Sequence, residues 1–293
     1  MRAVASALAA SPSRVGAFLE LTKPRITALV LVTAAVGYAI GAGSGLDPLV
    51  FLALMAGTAM VAGGASALNQ YSEREADARM ERTRRRPLPS GRVSPGEALA
   101  FGLAISGAGL VVLATINPLT AILGAIALTS YALLYTPLKR ITCLCTVVGA
   151  VPGAIPPLMG WAAARGSLSA GAWALFGVLF LWQLPHFLAI GWIYREDYAR
   201  GGFPMLTVLD PDGASTGRQM MLYSAALVPV TLLAGALASA GPGYLWSALA
   251  LGALFFAGSA RFFRQRSLAS ARLVFLVSIL YLPVVLGLMV FDR

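Results

Sequence analysis

Apolar residues run in blocks of spanning length along almost the whole chain. Stretches near 24–42, 49–68, 97–115, 118–136, 142–162, 170–193, 219–239, 243–260 and 271–290 are each long enough to cross, as a helix, a hydrocarbon layer about 30 Å thick. Several contain Gly or Pro, which membrane helices tolerate because neighbouring helices re-satisfy the freed backbone groups. Polar residues gather in two stretches, 69–96 after the second block and 194–218 after the sixth. Their similar positions, four blocks apart, hint at a duplicated helical unit. The pattern predicts an all-α, polytopic membrane protein with about nine transmembrane helices. It leaves no room for a separate soluble domain, so residues 23–293 read as one unit preceded by a short segment, 1–22.

Composition agrees with this reading. The 293 residues are 58% hydrophobic and only 12% charged, about half the charge of a soluble domain. Mean hydropathy is +0.77. The net charge of +10 raises the question of nucleic acid, but the basic residues sit beside the apolar blocks. With the N-terminus placed in the cytoplasm, all of the 22 Lys and Arg residues except Arg165 and Arg293 fall in inside segments. That asymmetry is the positive-inside rule, and it supports both the number of spans and their orientation. It places the chain in the cell (plasma or inner) membrane with both polar stretches on the cytoplasmic side. Segment 1–22 is Ala- and Ser-rich and lacks a continuous apolar region with a cleavage site, so it does not read as a signal peptide. Cys143 and Cys145, spaced CxC, make neither a disulfide framework nor a zinc site, and read as small helix residues.

The candidate chemistry lies in the polar stretches. Asn69, Glu73 and Asp77 are spaced i, i+4, i+8, which lines three oxygen-bearing side chains along one helix face over about 12 Å. Hard oxygen donors at a membrane mouth suit Mg²⁺, which keeps waters and bridges to phosphate. The plain alternative is a solvated helix end with ion pairs to Arg74 and Arg79. Arg82, Arg85 and Arg86, followed by the rigid Pro87-Leu88-Pro89 turn, suit bidentate recognition of a diphosphate. Lys139, Arg140 and Arg195 lie on the same side and are candidates for the same anion, or for topology alone. Asp197 is a further candidate metal ligand. His186 is the only histidine and sits inside the sixth block. An ionisable residue at such depth tends to face an interior cavity. Its candidate roles are proton transfer, an iron contact or a polar contact to substrate, against a hydrogen bond to a neighbouring helix.

These residues resemble the UbiA superfamily of intramembrane prenyltransferases. Asn69, Glu73 and Asp77 match its first Asp-rich motif. Lys23-Pro24-Arg25, the run Met80 to Leu88, Tyr135-Thr136-Pro137-Leu138-Lys139-Arg140, Gly153 to Trp161, Pro185-His186-Phe187 and Asp197 to Leu206 resemble the branch that acts on protohaem IX. The resemblance implies helices arranged around a central cavity and an Mg²⁺-dependent transfer of farnesyl from farnesyl diphosphate to a vinyl group of haem b, with water addition giving haem O. It implies metal ligation by Asn69, Glu73, Asp77 and Asp197. It also implies aromatic stabilisation of an allylic cation, with Tyr131, Tyr135 and Trp161 as candidates, and a haem A synthase or terminal oxidase as downstream partner. Two departures stand out: Glu73 occupies a position usually held by Asp, and Ile193 stands where the wider superfamily has the first Asp of a second DxxxD. Other acceptors, a quinone precursor or a chlorophyllide, fit the first motif equally. A transporter is the reading from a different class.

Overall fold

Proline sets the first turn of many of these helices, where its missing N–H costs nothing. In the computed structural model, which describes residues 13–292, Pro24, Pro48, Pro95, Pro118 and Pro242 each occupy such a position. The helices are α1 (Arg14–Leu21), α2 (Pro24–Ala42), α3 (Pro48–Arg79), α4 (Pro95–Ala114), α5 (Pro118–Leu138), α6 (Cys145–Arg165), α7 (Ala170–Ile193), α8 (Arg195–Gly201), α9 (Ala214–Leu237), α10 (Pro242–Gln265) and α11 (Leu268–Phe291). All but α1 and α8 are long and apolar enough to span a membrane, nine helices among the described residues. No strand occurs among them. Arg2 and Arg293, which enter the charge count, lie outside the described residues, as does most of segment 1–22.

Consecutive spans are neighbours, and α11 returns to α2 to close the circuit. The tightest crossing is α2 against α6. A Cβ placed on Gly37 would sit 2.1 Å from the Pro157 carbonyl oxygen, and one on Gly160 would sit 2.0 Å from that of Ala34. Small residues at a helix crossing let backbones approach closely and gain dispersion contacts where lipid offers no hydrophobic drive. Pro152, Pro156 and Pro157 lie inside α6, all buried.

The main departure from the sequence pattern is α3. It runs for 32 residues, about 48 Å at 1.5 Å per residue, and so overshoots a bilayer core. The first polar stretch therefore begins as helix, and true loop starts only at Met80. The second stretch is likewise broken by α8 and by a short turn at Leu206–Leu209. Helix α1 packs Ala17 and Leu21 against Ala67, Leu88, Val93 and Ala98. Arg92 pairs with Glu20 at 2.7 Å, and Arg14 pairs with Glu97. These contacts tie the start of the chain to the loop after α3.

Asp210 organises the entry to α9. Its Oδ2 accepts from the Thr216 amide at 2.7 Å and hydroxyl at 2.8 Å. Burial alone would raise the carboxyl, but the Thr216 donors outweigh it and hold it below the ordinary carboxylate value. A lowered folded-state pKa adds stability that is present above the unfolded value, about 4, and is lost as pH falls through the folded one. The thermal midpoint of the wild type in detergent is expected to drop below about pH 4, and that of Asp210→Asn to be lower at neutral pH and flatter across this window. Parallel slopes for the two proteins would remove Asp210 from the account.

Candidate active site

The polar end of α3 turns inward, and this decides between the two readings of its three oxygen donors. Asn69, Glu73 and Asp77 are 3%, 2% and 0% exposed. Neither Arg74 nor Arg79 pairs with them: Arg74 reaches Glu75, and Arg79 donates to the Gly201 carbonyl. The solvated helix end is therefore overturned. The partners come from elsewhere in the chain. Lys139 Nζ lies 3.1 Å from both Glu73 carboxylate oxygens. Lys23 Nζ donates to Asn69 Oδ1 at 3.0 Å, and the Asn69 amide donates to Thr136 Oγ1 at 3.1 Å. Arg86 donates to Asp77 Oδ2 at 2.7 Å.

Local backbone places these cations. Lys23 sits at φ 49°, a left-handed conformation costly for a side chain with a Cβ, at the junction of α1 and α2. Lys139 follows a π-helical segment, Ser130–Tyr135, near the end of α5. Such wide turns are frequent at functional sites. The ammonium of Lys139 lies 4.8 Å from the Phe203 ring centre, 5.7 Å from that of Tyr135 and 5.9 Å from that of Tyr198. Arg86 is positioned by the turn that follows it: Ser90 donates to its carbonyl at 2.7 Å, and Thr83 Oγ1 donates to the Asp77 carbonyl at 2.9 Å.

Two carboxylates thus face three cations in a buried space. Burial, and then the charge of Arg86, push the Lys23 ammonium down to about 7 against the pull of Glu73. Lys139, though burial opposes it, is held above its ordinary value by the oxygens of Tyr135 and Glu73. An anion arriving here would draw Lys23 back to its charged form, so the three basic groups together suit one. The donor set also suits a divalent cation. Asp77 Oδ1 is buried without a hydrogen-bond partner, an expensive arrangement for a carboxylate oxygen unless something positive meets it. Asn69, Glu73 and Asp77 offer only hard oxygens, the preference of Mg²⁺.

Of the remaining predicted residues, Asp197, Arg82 and Arg140 meet the elements that carry this core, whereas Trp161 and His186 lie away from it. Asp197 Oδ1 accepts from the Glu81 amide at 3.1 Å and pairs with Arg200, while Oδ2 accepts from the Arg82 amide at 3.3 Å. Burial would raise its carboxyl, but Arg200 and these amides hold it low. Asp197 therefore joins the second polar stretch to the first, and both its oxygens are committed. The Arg82 guanidinium lies 5.2 Å from the Tyr194 ring centre and 5.7 Å from that of Tyr198. Arg140 donates to the Ser72 carbonyl at 2.6 Å, Arg195 stacks on Trp192 at 4.6 Å, and the Arg85 side chain is exposed. Tyr131 and Tyr135 pair at 5.3 Å beside Lys139. Trp161 is elsewhere: it lies 16 residues along α6 from Cys145, about 24 Å, while Cys145 packs with Met205 in the cluster of Tyr198 and Phe203. His186 packs against α11 and touches none of the ionised groups above. Sequence reasoning missed Lys23 and Thr136 as site residues, although both lie in motifs it singled out.

The UbiA prenyltransferase family model matches residues 30–282. The chain is a member of the UbiA prenyltransferase family. Among curated relatives of this UbiA protein, the "Protoheme IX farnesyltransferase" of Solibacter usitatus (strain Ellin6076) is 49% identical over 94% of this chain and 98% of that one. The protein of the same name from Myxococcus xanthus (strain DK1622) is 44% identical over 96% of each. A solved digeranylgeranylglyceryl phosphate synthase superposes with a TM-score of 0.81 at 19% identity, over 95% of this chain and 98% of that one. A UbiA homolog from Archaeoglobus fulgidus bound to GPP and Mg²⁺ superposes with a TM-score of 0.64 at 15% identity, over 93% and 99%. These two structures share the UbiA fold, and the chain is a multi-pass membrane protein of that family.

Proposed function

We propose that this UbiA protein transfers farnesyl from farnesyl diphosphate to a vinyl group of haem b, giving haem O. The observation that carries the reading is the buried cluster of Asn69, Glu73 and Asp77 with Lys23, Lys139 and Arg86. It joins metal-type oxygens to an excess of fixed positive charge at one end of the helices. The acceptor is inferred from relatives that share nearly half of the sequence and bear one activity in their name.

In this reading Asn69, Glu73 and Asp77 would hold Mg²⁺, and the ion would supply charge neutralisation that makes the diphosphate a better leaving group. Lys23, Lys139 and Arg86 sit where diphosphate oxygens would meet them and stabilise the negative charge that develops as the farnesyl C1–O bond breaks. Arg82, Arg85, Arg140 and Arg195 lie in the connections at the same end of the helices and would draw the anion in. The pair of electrons leaves with the diphosphate. The vinyl group supplies the electrons of the new C–C bond, water captures the resulting cation and one proton is released. Tyr135, 5.7 Å from Lys139, and its ring neighbour Tyr131 would shield an allylic cation, with Tyr198 and Phe203 also beside Lys139. Asp197 acts through the loop, holding the Glu81 and Arg82 amides.

We further place residues 23–293 as one domain in the cell membrane, with the N-terminus and both polar stretches cytoplasmic. A haem A synthase or terminal oxidase would receive the product. A transporter is disfavoured because the ionised side chains gather at the helix ends, leaving His186 deep among the described residues. The test is incubation of the purified protein with haem b, farnesyl diphosphate and Mg²⁺. Haem O is expected by mass, its formation stopped by EDTA and restored by added Mg²⁺. Prenylation of 4-hydroxybenzoate with haem left unchanged would hand the assignment to another acceptor.

A further inference from the structure

His186 has one nitrogen committed and one open. Its Nδ1 lies 2.6 Å from Ser278 Oγ on α11. The same hydroxyl lies 2.6 Å from the Phe275 carbonyl oxygen, one turn back on its own helix. A serine hydroxyl has a single proton to donate, and a carbonyl can only accept. The Ser278 proton therefore goes to Phe275, and Ser278 Oγ accepts from His186. Nδ1 is the protonated nitrogen of the neutral ring, assigned by this proton accounting. Nε2 keeps its lone pair. It makes no hydrogen bond, and it is not among the buried polar atoms sealed away without a partner.

The surroundings fix the ring in place. Trp182 stacks on it at 4.9 Å with 20° between planes, and Phe275 at 5.2 Å with 25°. Phe187 lies at 5.6 Å. The Trp182 indole N–H donates to the Ser278 carbonyl at 2.8 Å, tying α7 to α11 a second time. An imidazole that donates one N–H to an oxygen and presents its other nitrogen bare is how metal-ligating histidines are held. No second histidine exists, and no cluster of three His, Cys, Asp or Glu able to hold a metal occurs among the described residues. A single nitrogen cannot retain a free ion. It can complete the coordination sphere of a metal that arrives with its own ligands, and a metalloporphyrin brings four nitrogens. His186 lies seven residues before Ile193, about 10 Å below the end of α7. Helix α8 follows directly and carries Asp197, which is bound to the loop bearing Arg82 and Arg86.

We propose that His186 Nε2 is the axial ligand to the iron of the acceptor porphyrin, with Ser278 as the positioning residue that holds its tautomer. This rests on haem b being the acceptor. The test titrates the detergent-purified full chain with ferric haem b and, in parallel, with metal-free protoporphyrin IX, followed by absorption and electron paramagnetic resonance. In His186→Ala the imidazole signature at the iron is expected to disappear and haem affinity to fall tenfold or more, with protoporphyrin IX affinity unchanged. In His186→Gly, added imidazole should restore the wild-type spectrum. Ser278→Ala should keep imidazole ligation but weaken haem binding. An unaltered iron spectrum in His186→Ala would overturn the proposal, as would an equal loss of affinity for both porphyrins, the mark of a structural residue. Haem O formation alongside an unaltered spectrum would remove the ligand and leave the activity. Absence of haem binding by the wild type would instead remove the acceptor itself.

Discussion

Asp77→Asn is expected to reduce haem O formation by about 10³-fold or more while the protein still elutes as a single folded species in detergent. Asp77 is fully buried at the end of α3, with one oxygen on Arg86 and the other unpartnered. The amide preserves shape and removes the charge. It leaves a weaker ligand for a divalent cation and alters the balance of charge around the diphosphate. Folding should survive because the Arg86 side chain is 22% exposed and can find water when its partner is neutralised, which softens the usual cost of breaking a buried pair. The measurement is turnover with farnesyl diphosphate and haem b, set beside a thermal midpoint. Turnover within threefold of wild type would remove Asp77 from the metal site. A collapsed midpoint would make it structural.

The second large effect is at the crossing of α2 and α6. Gly160→Ala should destabilise the protein by about 3 kcal/mol. Its Cβ would meet the Ala34 carbonyl oxygen at 2.0 Å and the Tyr38 amide nitrogen at 2.6 Å. Both are backbone atoms in a helix and cannot swing aside, so α2 must move off α6. Helix α2 begins directly after Lys23, so the displacement should also reduce turnover. Gly287→Ala is the matched control, since nothing lies within 4 Å of a Cβ at that position. Thermal unfolding in detergent and yield of monodisperse protein report the difference. Equal midpoints for the two variants would show that the crossing has slack.

Much of the site was legible in the chain because the relevant signals are local. The i, i+4, i+8 spacing of Asn69, Glu73 and Asp77 is a property of one helix and needs no tertiary information. The starts of α3 and α4 also rest on local signals, the Asp47 cap and the Ser94–Glu97 capping box, which the apolar blocks alone do not use. Partners were not legible. Glu73 meets Lys139 across 66 residues, and Asn69 meets Lys23 across 46. One compositional signal was available: Lys23 and Lys139 are the only lysines among the 22 basic residues, the other 20 being arginine, but nothing local says what they meet. Asp197 had the composition of a metal ligand, yet its place beneath the Glu81 and Arg82 amides depends on how α8 lies against α3. Trp161 looked like a cation-stabilising ring until its position along α6 put it at the wrong end.

Short windows of sequence were enough for the membrane class, the nine spans found among the described residues, the one-sided distribution of charge and the oxygen-bearing face of α3. Each follows from a transfer energy or a helical period that a short window of residues expresses. That this face is buried, which cations meet it, and that the hydroxyl beside His186 comes from Ser278, 92 positions away, came from the packing of distant segments. Ion pairs and tautomers depend on distances of about 3 Å between segments far apart in the chain. Those distances are set by close crossings such as Gly37 and Gly160 between α2 and α6, which no local pattern encodes.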